Sequence, residues 1–212
     1  MKPTKSISIP LLSRNGNGSK PVCLTLFYYT LKKILQYSRH LMRAKGRHGT
    51  HSPFVYAFVE QVMRAKARPA GAAQAHVPPV AYRLLYKTIK HLAPEVVYAG
   101  VELLPLIEHV AKERELGIKV MPLPEQGALP PVTSSVMVCV ACAARNLPVL
   151  KTILLRDKIK VVVTGPHTGM DSLAVWNQLS SIPEVKVSLD YWHLGLLVTD
   201  PAFKAKQHFR LR

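Results

Sequence analysis

Apolar positions in the second half of the chain follow two spacings. Short apolar runs such as Val161-Val162-Val163 predict strands, and apolar residues three or four positions apart predict helices. The predicted strands cover 95–99, 118–121, 135–141, 160–164, 185–189 and 194–199, and the predicted helices cover 103–116, 147–156 and 171–179. This alternation predicts a Rossmann-like, doubly wound, mostly parallel sheet. The close spacing of the last two strands predicts a C-terminal antiparallel hairpin at one edge.

The first third of the chain has a different pattern. Residues 1–20 lack periodicity and predict a flexible leader, whereas residues 22–44 predict an amphipathic basic helix. A second helix is predicted to begin at Ser52 and Pro53, and a third covers 81–92 after a linker rich in Ala, Pro and Gly. We therefore divide the chain into a leader (1–20), basic N-terminal helices with a linker (21–79), and an α/β domain (80–212).

Charge adds a candidate partner. The 212 residues carry a formal net charge of +17, with 29 Lys and Arg against 12 Asp and Glu. Residues 1–70 hold 13 of the basic residues and a single acid, Glu60, and so contribute +12. Residues 21–47, with Lys32, Lys33 and Arg47, are predicted to attract a polyanion. A solvated basic face without a partner is the alternative.

Cysteine usage and hydropathy bear on the compartment. Cys139 and Cys142 form a C-x-x-C inside the apolar run from Val136 to Ala144, which predicts buried thiols and neither a zinc nor a redox site. The odd total of 3 cysteines argues against a disulfide framework. The longest N-terminal apolar run, Val22 to Leu31, is too short for a membrane span. We predict a cytoplasmic protein without a transmembrane segment.

Three stretches resemble one bacterial branch of the class I methyltransferases that use S-adenosylmethionine. Residues 48–56, "HGTHSPFVY", are similar to that branch's signature near the N-terminus. Residues 82–97 are similar to its helix leading into the first core strand. Residues 187–198, "VSLDYWHLGLLV", with "KQHF" at 206–209, are similar to its closing hairpin and tail. The resemblance implies S-adenosylmethionine as the cofactor, with Gly100 and Glu102 in contact with it.

The sequence departs from that family where the chemistry is expected. The loop after the first strand keeps only Gly100, followed by bulky residues. The nearest acid after the second strand is Glu125, which lies past two prolines. The strand over 135–141 ends without an acid. After the strand over 160–164, the expected acids are absent and only His167 remains.

Histidines are the remaining candidates for chemistry. His167 follows a predicted strand at the carboxyl edge of the sheet and is a candidate general base. No carboxylate adjoins it in the sequence, so we interpret it first as a packed or hydrogen-bonded loop residue. His48 and His51 lack neighbouring metal ligands, and no metal site is predicted. With Arg47 they are candidates for contact with an anion or partner at a helix start, the alternative being simple packing.

These observations support three hypotheses. The first is a methyltransferase-like protein with weakened cofactor binding and a binding or scaffold role. The second is an active methyltransferase on an unidentified acceptor, with His167 as its base. The third is a basic protein associated with nucleic acid, although no recognised nucleic-acid-binding motif is present.

Overall fold

In the computed structural model, the chain is described at residues 22–44, 52–66, 77–113, 117–130 and 135–212. It divides into two units, residues 1–38 and residues 39–212. Helix α1 (Val22–Arg43) begins in the first unit, and its residues from 39 onward belong to the second. The bounds of α1 confirm the basic helix predicted over residues 22–44. The predicted flexible leader lies outside the described residues.

The second unit is a mixed α/β structure. Its helices are α2 (Pro53–Phe58), which continues as a π-helical turn over Val59–Met63, then α3 (Pro79–Leu92), α4 (Leu104–Glu113), α5 (Leu147–Leu154) and α6 (Met170–Ser181). Its strands are β1 (Val96–Ala99), β2 (Lys119–Pro122), β3 (Val136–Ala141), β4 (Lys160–Thr164), β5 (Val187–Asp190), β6 (Leu194–Val198) and β7 (Gln207–Arg210). The six predicted strands are all present, close to their predicted bounds.

The strands form one seven-stranded sheet in the order β2-β1-β3-β4-β6-β5-β7. The pairs β1–β2, β1–β3, β3–β4 and β5–β7 are parallel, while β6 is antiparallel to both β4 and β5. The mostly parallel sheet and the antiparallel hairpin are confirmed. Because β2 and β3 flank β1 on opposite sides, the strand order reverses between β1 and β3. This reversal is the position at which open α/β sheets bind ligands.

The predicted edge position of the hairpin is wrong, because β7 pairs outside it. Val187 of β5 lies opposite Gln207, and the Leu211 N–H donates to the Asp190 carbonyl over 2.8 Å. The β7 residues Gln-His-Phe-Arg are half-buried or exposed and carry no apolar run. A polar edge strand of this kind gives little hydrophobic signal, and polar side chains there discourage pairing with other chains.

Helices cover both faces of the sheet and create two apolar layers. Helices α2, α3 and α4 pack with residues such as Val162 of β4, whereas α5 and α6 pack with Val161 and Val163. A strand buried on both faces is apolar at every position, which explains the continuous valine run. Phe58 of α2 is also part of the first layer. The helix after Ser52 therefore contributes to the α/β core, while the domain limits drawn from the sequence stay a prediction.

The indole of Trp176 packs directly over Gly195 of β6. A Cβ atom at Gly195 would lie 2.6 Å from Cη2 and 2.9 Å from Cε3 of that ring. Trp176 is only 4% exposed and therefore lies in the core. Glycine is required here by close packing, since any larger residue would overlap the indole.

Within the described parts of the chain, no helix combines the length and hydropathy required to span a bilayer.

Candidate functional site

The antiparallel strand β6 brings two strand ends together at the carboxyl edge of the sheet. Because β6 separates β4 from β5 and runs opposite to both, β4 and β5 end at the same edge. His167 lies three residues after β4, and Asp190 is the last residue of β5. The Gly165 N–H donates to the His193 carbonyl over 2.9 Å and joins the two loops. Side chains 23 positions apart in the sequence therefore meet.

His167 and Asp190 form a close pair. The His167 Nε2 atom lies 2.9 Å from each carboxylate oxygen of Asp190. Their side chains are 11% and 7% exposed. The interpretation of His167 as lacking a carboxylate neighbour is therefore corrected, because the fold supplies one from a later strand. A buried carboxylate that accepts from one ring nitrogen fixes the histidine tautomer, as in catalytic histidine–aspartate pairs.

Trp192 covers the pair. Its ring stacks on that of His167, with centroids 4.3 Å apart and an interplanar angle of 6°. The backbone N–H of Trp192 donates to Asp190 Oδ1 over 3.1 Å. Trp192 has a φ of +67°, a left-handed conformation that costs a bulky residue about 1–3 kcal/mol and is found where a fold imposes it. The turn therefore directs both the Trp192 ring and its N–H toward the pair.

His40, near the end of α1, completes the group. Its ring lies edge-on to those of His167 and Trp192, with both centroid distances at 5.4 Å. Its Nε2–H donates to the Leu211 carbonyl over 3.3 Å, and its Nδ1 lies 3.8 Å from Asp190 Oδ2. Burial lowers the pKa of His40, outweighing the opposing effect of the Asp190 charge. The lowered pKa favours the neutral ring, and that ring carries its hydrogen on Nε2 because the Leu211 carbonyl only accepts.

A cavity of about 410 Å³ opens beside this group on the α6 face of the sheet. His167 and Asp190 line it. Its other polar lining residues include Arg43, Asn177, Ser180, Ser188, His208 and Arg210. Within it, Ser188 Oγ and His208 Nδ1 form a hydrogen bond. The cavity is mixed in charge, with two guanidinium groups and one buried carboxylate.

The predicted cofactor contacts lie at a different place, where the strand order reverses. Gly100 follows β1, and its N–H donates to the Cys139 carbonyl over 2.8 Å. Glu102 Oε1 accepts from the Ala141 N–H at 3.1 Å and from the Asn146 side-chain amide at 3.1 Å. The carboxylate also covers Gly100, since a Cβ there would lie 3.2 Å from Glu102 Oε2. The Glu102 side chain therefore bridges the crevice between β1 and β3.

The electrostatics of Glu102 agree with this bridging role. Burial, the largest single influence, would raise its pKa, but hydrogen bonds from its own N–H, the Ala141 N–H and Asn146 together lower it. Arg145, whose guanidinium lies 3.6 Å from Oε2, acts in the same direction. The carboxylate is held in its charged form by groups of the chain itself.

The other predicted site residues, the candidates for anion or partner contact, belong to the N-terminal part of the chain. Lys32 and Lys33 lie on the part of α1 that belongs to residues 1–38. Arg47, His48 and His51 lie outside the described residues. The predicted burial of the C-x-x-C is confirmed, because Cys139 and Cys142 are free and buried. Burial raises the pKa of Cys142 to about 12, and its Sγ–H donates to the Ser172 carbonyl over 3.2 Å.

Sequence reasoning missed two members of the edge group, Asp190 and His40. A usable signal existed for Asp190, an isolated acid at the end of an apolar strand and beside a predicted turn. No spacing rule connects His40 to either partner. A comparison with known protein families, curated proteins and solved structures finds no match for this chain.

Proposed function

We propose that this chain is a methyltransferase-like α/β protein that binds S-adenosylmethionine weakly or not at all and acts as a binding or scaffold protein. The Rossmann-like frame of the proposal rests on the sequence resemblance and on the parallel strands that end in an antiparallel pair. A shared frame does not by itself imply a shared activity. The loss of cofactor binding must therefore be argued from the crevice.

The observation that carries the proposal is the bridge made by Glu102. In folds of this type, a cofactor approaches the backbone where the strand order reverses, next to a glycine-rich loop. Here the Glu102 carboxylate accepts hydrogen bonds from Ala141 and Asn146 in that crevice and lies over Gly100. A cofactor would have to displace these contacts. Each such charge-assisted hydrogen bond contributes about 1.5–3 kcal/mol.

An active methyltransferase is the second candidate, and the His167–Asp190 pair favours it. A carboxylate that orients a histidine is the arrangement of an effective general base. Such a base contributes about 10²–10⁴-fold in rate when it removes a proton from an acceptor. His167 lines the cavity, and its side chain is 11% exposed.

Calorimetric titration with S-adenosylmethionine distinguishes the two candidates. We expect no saturable heat for the wild-type chain, and a low-micromolar dissociation constant would reject the proposal in favour of the active enzyme. Glu102→Ala should raise the affinity, because it removes the bridge. Glu102→Gln is the matched control, since an amide of the same shape can still accept from Ala141 N–H. If Glu102→Ala does not raise the affinity for S-adenosylmethionine, the bulky residues of the loop, and not Glu102, would be what excludes the cofactor.

The basic segment supports a further part of the proposal, contact with a polyanion through residues 21–47. On the described part of α1 within residues 1–38, Lys32 and the apolar Leu31, Ile34 and Leu35 are exposed. Exposed basic and apolar side chains on one helix suit an acidic surface. We also propose a cytoplasmic location, for which the unpaired thiols of Cys139 and Cys142 are suited.

A further inference from the structure

Three side chains that commonly bind metal ions meet at the carboxyl edge of the sheet. His40, His167 and Asp190 each offer one nitrogen or oxygen atom, and these atoms all lie within 4.8 Å of one another. They come from the end of α1, the loop after β4 and the end of β5. No local sequence motif produces this cluster, so it results from the fold alone.

His40 supplies an independent observation. Its side chain is 4% exposed, and among the described residues its Nδ1 has no hydrogen-bond partner. A carbonyl only accepts, so the bond to Leu211 requires the hydrogen on Nε2 and leaves a lone pair on Nδ1. That lone pair faces Asp190 Oδ2 at 3.8 Å, another acceptor. A cation between the two would satisfy both.

The distances fit a small divalent ion. Ligand atoms about 2.0–2.2 Å from a tetrahedral zinc ion lie about 3.3–3.6 Å from one another. The His167 Nε2 to Asp190 distance of 2.9 Å and the His40 Nδ1 to Asp190 distance of 3.8 Å lie on either side of that range. The ligand atoms of the third pair, His40 and His167, lie within 4.8 Å of each other, so small side-chain shifts would bring all three onto one ion. The Leu211 carbonyl already orients the His40 ring, as outer partners of metal-bound histidines do.

We propose that His40 Nδ1, His167 Nε2 and the Asp190 carboxylate form a binding site for a divalent transition-metal ion of the zinc type. The ion takes the place of the hydrogen that His167 Nε2 donates to Asp190, and the neutral His167 ring then carries its hydrogen on Nδ1. Two imidazoles and one carboxylate are a set of three protein ligands that zinc sites use while keeping a fourth position open. The cavity lined by His167 and Asp190 gives access, and Arg43 and Arg210 in its wall suit an anionic fourth ligand. The inference concerns the β4–β5 edge and does not depend on the function proposed for the β1–β3 crevice.

The experiment uses the full chain after treatment with a chelator, titrated separately with zinc chloride and cobalt chloride. We expect one ion per chain by calorimetry and a rise in Tm with zinc, since an ion that binds only the folded state stabilises it. Asp190→Asn keeps an oxygen for the Trp192 N–H, and His167→Gln keeps a polar side chain. Loss of a residue that only orients a metal ligand weakens metal binding by about 10–100-fold. Each of these two variants removes a ligand and should weaken zinc binding by more than that.

His208→Gln is the matched control, because His208 lines the same cavity but is not one of the three ligands. It should bind zinc with an affinity within a few-fold of the wild type. Absence of stoichiometric binding by the wild-type chain would overturn the proposal. So would loss of binding in His208→Gln together with its retention in Asp190→Asn and His167→Gln.

A spectrum of the wild-type chain keeps the proposal testable even if the variants fail to fold. Cobalt bound by two imidazoles and a carboxylate gives visible d–d bands without thiolate charge-transfer absorption. Intense near-ultraviolet charge transfer would instead identify cysteine ligands and overturn the assignment.

Discussion

The contact between Trp176 and Gly195 makes a sharp prediction about stability. Carbon atoms in ordinary contact lie about 3.5–4.0 Å apart. A Cβ at Gly195 would lie 2.6 Å and 2.9 Å from two atoms of the indole, and closer still to a third. The ring belongs to α6, which also buries Val175 and Leu179 in the same layer and cannot shift cheaply. The Gly195→Ala change should therefore overpack the core.

Overpacking by one methyl group costs about 1–3 kcal/mol, and the depth of this overlap favours the upper end, about 3 kcal/mol. For a chain of this size, each kcal/mol lowers Tm by about 2–4 °C, so we expect a fall of about 6–12 °C. Urea unfolding monitored by circular dichroism should show a lower midpoint with an unchanged slope.

A double-mutant cycle identifies the cause. Trp176→Leu removes the indole and has its own cavity cost, but it also makes room for a methyl group at Gly195. The double variant should be more stable than the sum of the single effects by about 1 kcal/mol or more, in the range measured for residues in contact. Gly169→Ala is the matched control, because a Cβ there meets nothing within 4 Å, and it should cost about 1 kcal/mol or less. Additive effects, or a Gly195→Ala variant as stable as the wild type, would refute the packing argument.

Three further predictions concern titration, thiols and charge. Burial lowers the pKa of His91, so on acidification the unfolded state takes up the proton before the folded state does. The free energy of unfolding should therefore fall as the pH drops below about 6.5. The His91→Gln variant should lose less stability in thermal melts at acid pH, and pH profiles of Tm identical to those of the wild type would contradict this. Cys139 and Cys142 should react with a thiol reagent only as fast as the native protein unfolds, because both are buried. Peptide mapping that finds either thiol modified rapidly in the native state would show otherwise. The double variant Lys32→Gln/Lys33→Gln should be retained less strongly on heparin, and the salt dependence of its binding should fall by up to about two ion equivalents. Elution at the same salt concentration as the wild type would show that α1 does not contact the polyanion.

The strands of the sheet were predictable because most are buried on both faces. Val161 to Val163 must be apolar at every position, and such a run is visible without any knowledge of its neighbours. By contrast, β7 is held by backbone pairing to β5 and carries alternating half-buried and exposed residues, of which only Phe209 is apolar. Its existence depends on a partner strand, and the sequence pattern of an edge strand does not report that partner.

The candidate site was predictable only in its location. His167 follows a core strand, and the general rule for α/β sheets directs attention there. Its carboxylate partner was not predictable by proximity in sequence, because Asp190 is brought to it by the intervening antiparallel strand β6. Glu102 was expected to contact a cofactor because the family resemblance implies it. Its hydrogen bonds to Ala141 and Asn146 depend on the three-dimensional approach of β3 to that loop.

The hydrogen bond between His40 and Leu211 also determines when the edge group can form during protein synthesis. The two residues are 171 positions apart. At about 5–20 residues per second, a ribosome adds that length in on the order of ten to thirty seconds. Throughout that interval, His40 is synthesised but lacks the carbonyl that orients its ring. The group at the carboxyl edge is therefore completed only after β7 and Leu211 have emerged and β7 has paired with β5, and a nascent chain that stops before residue 211 lacks it.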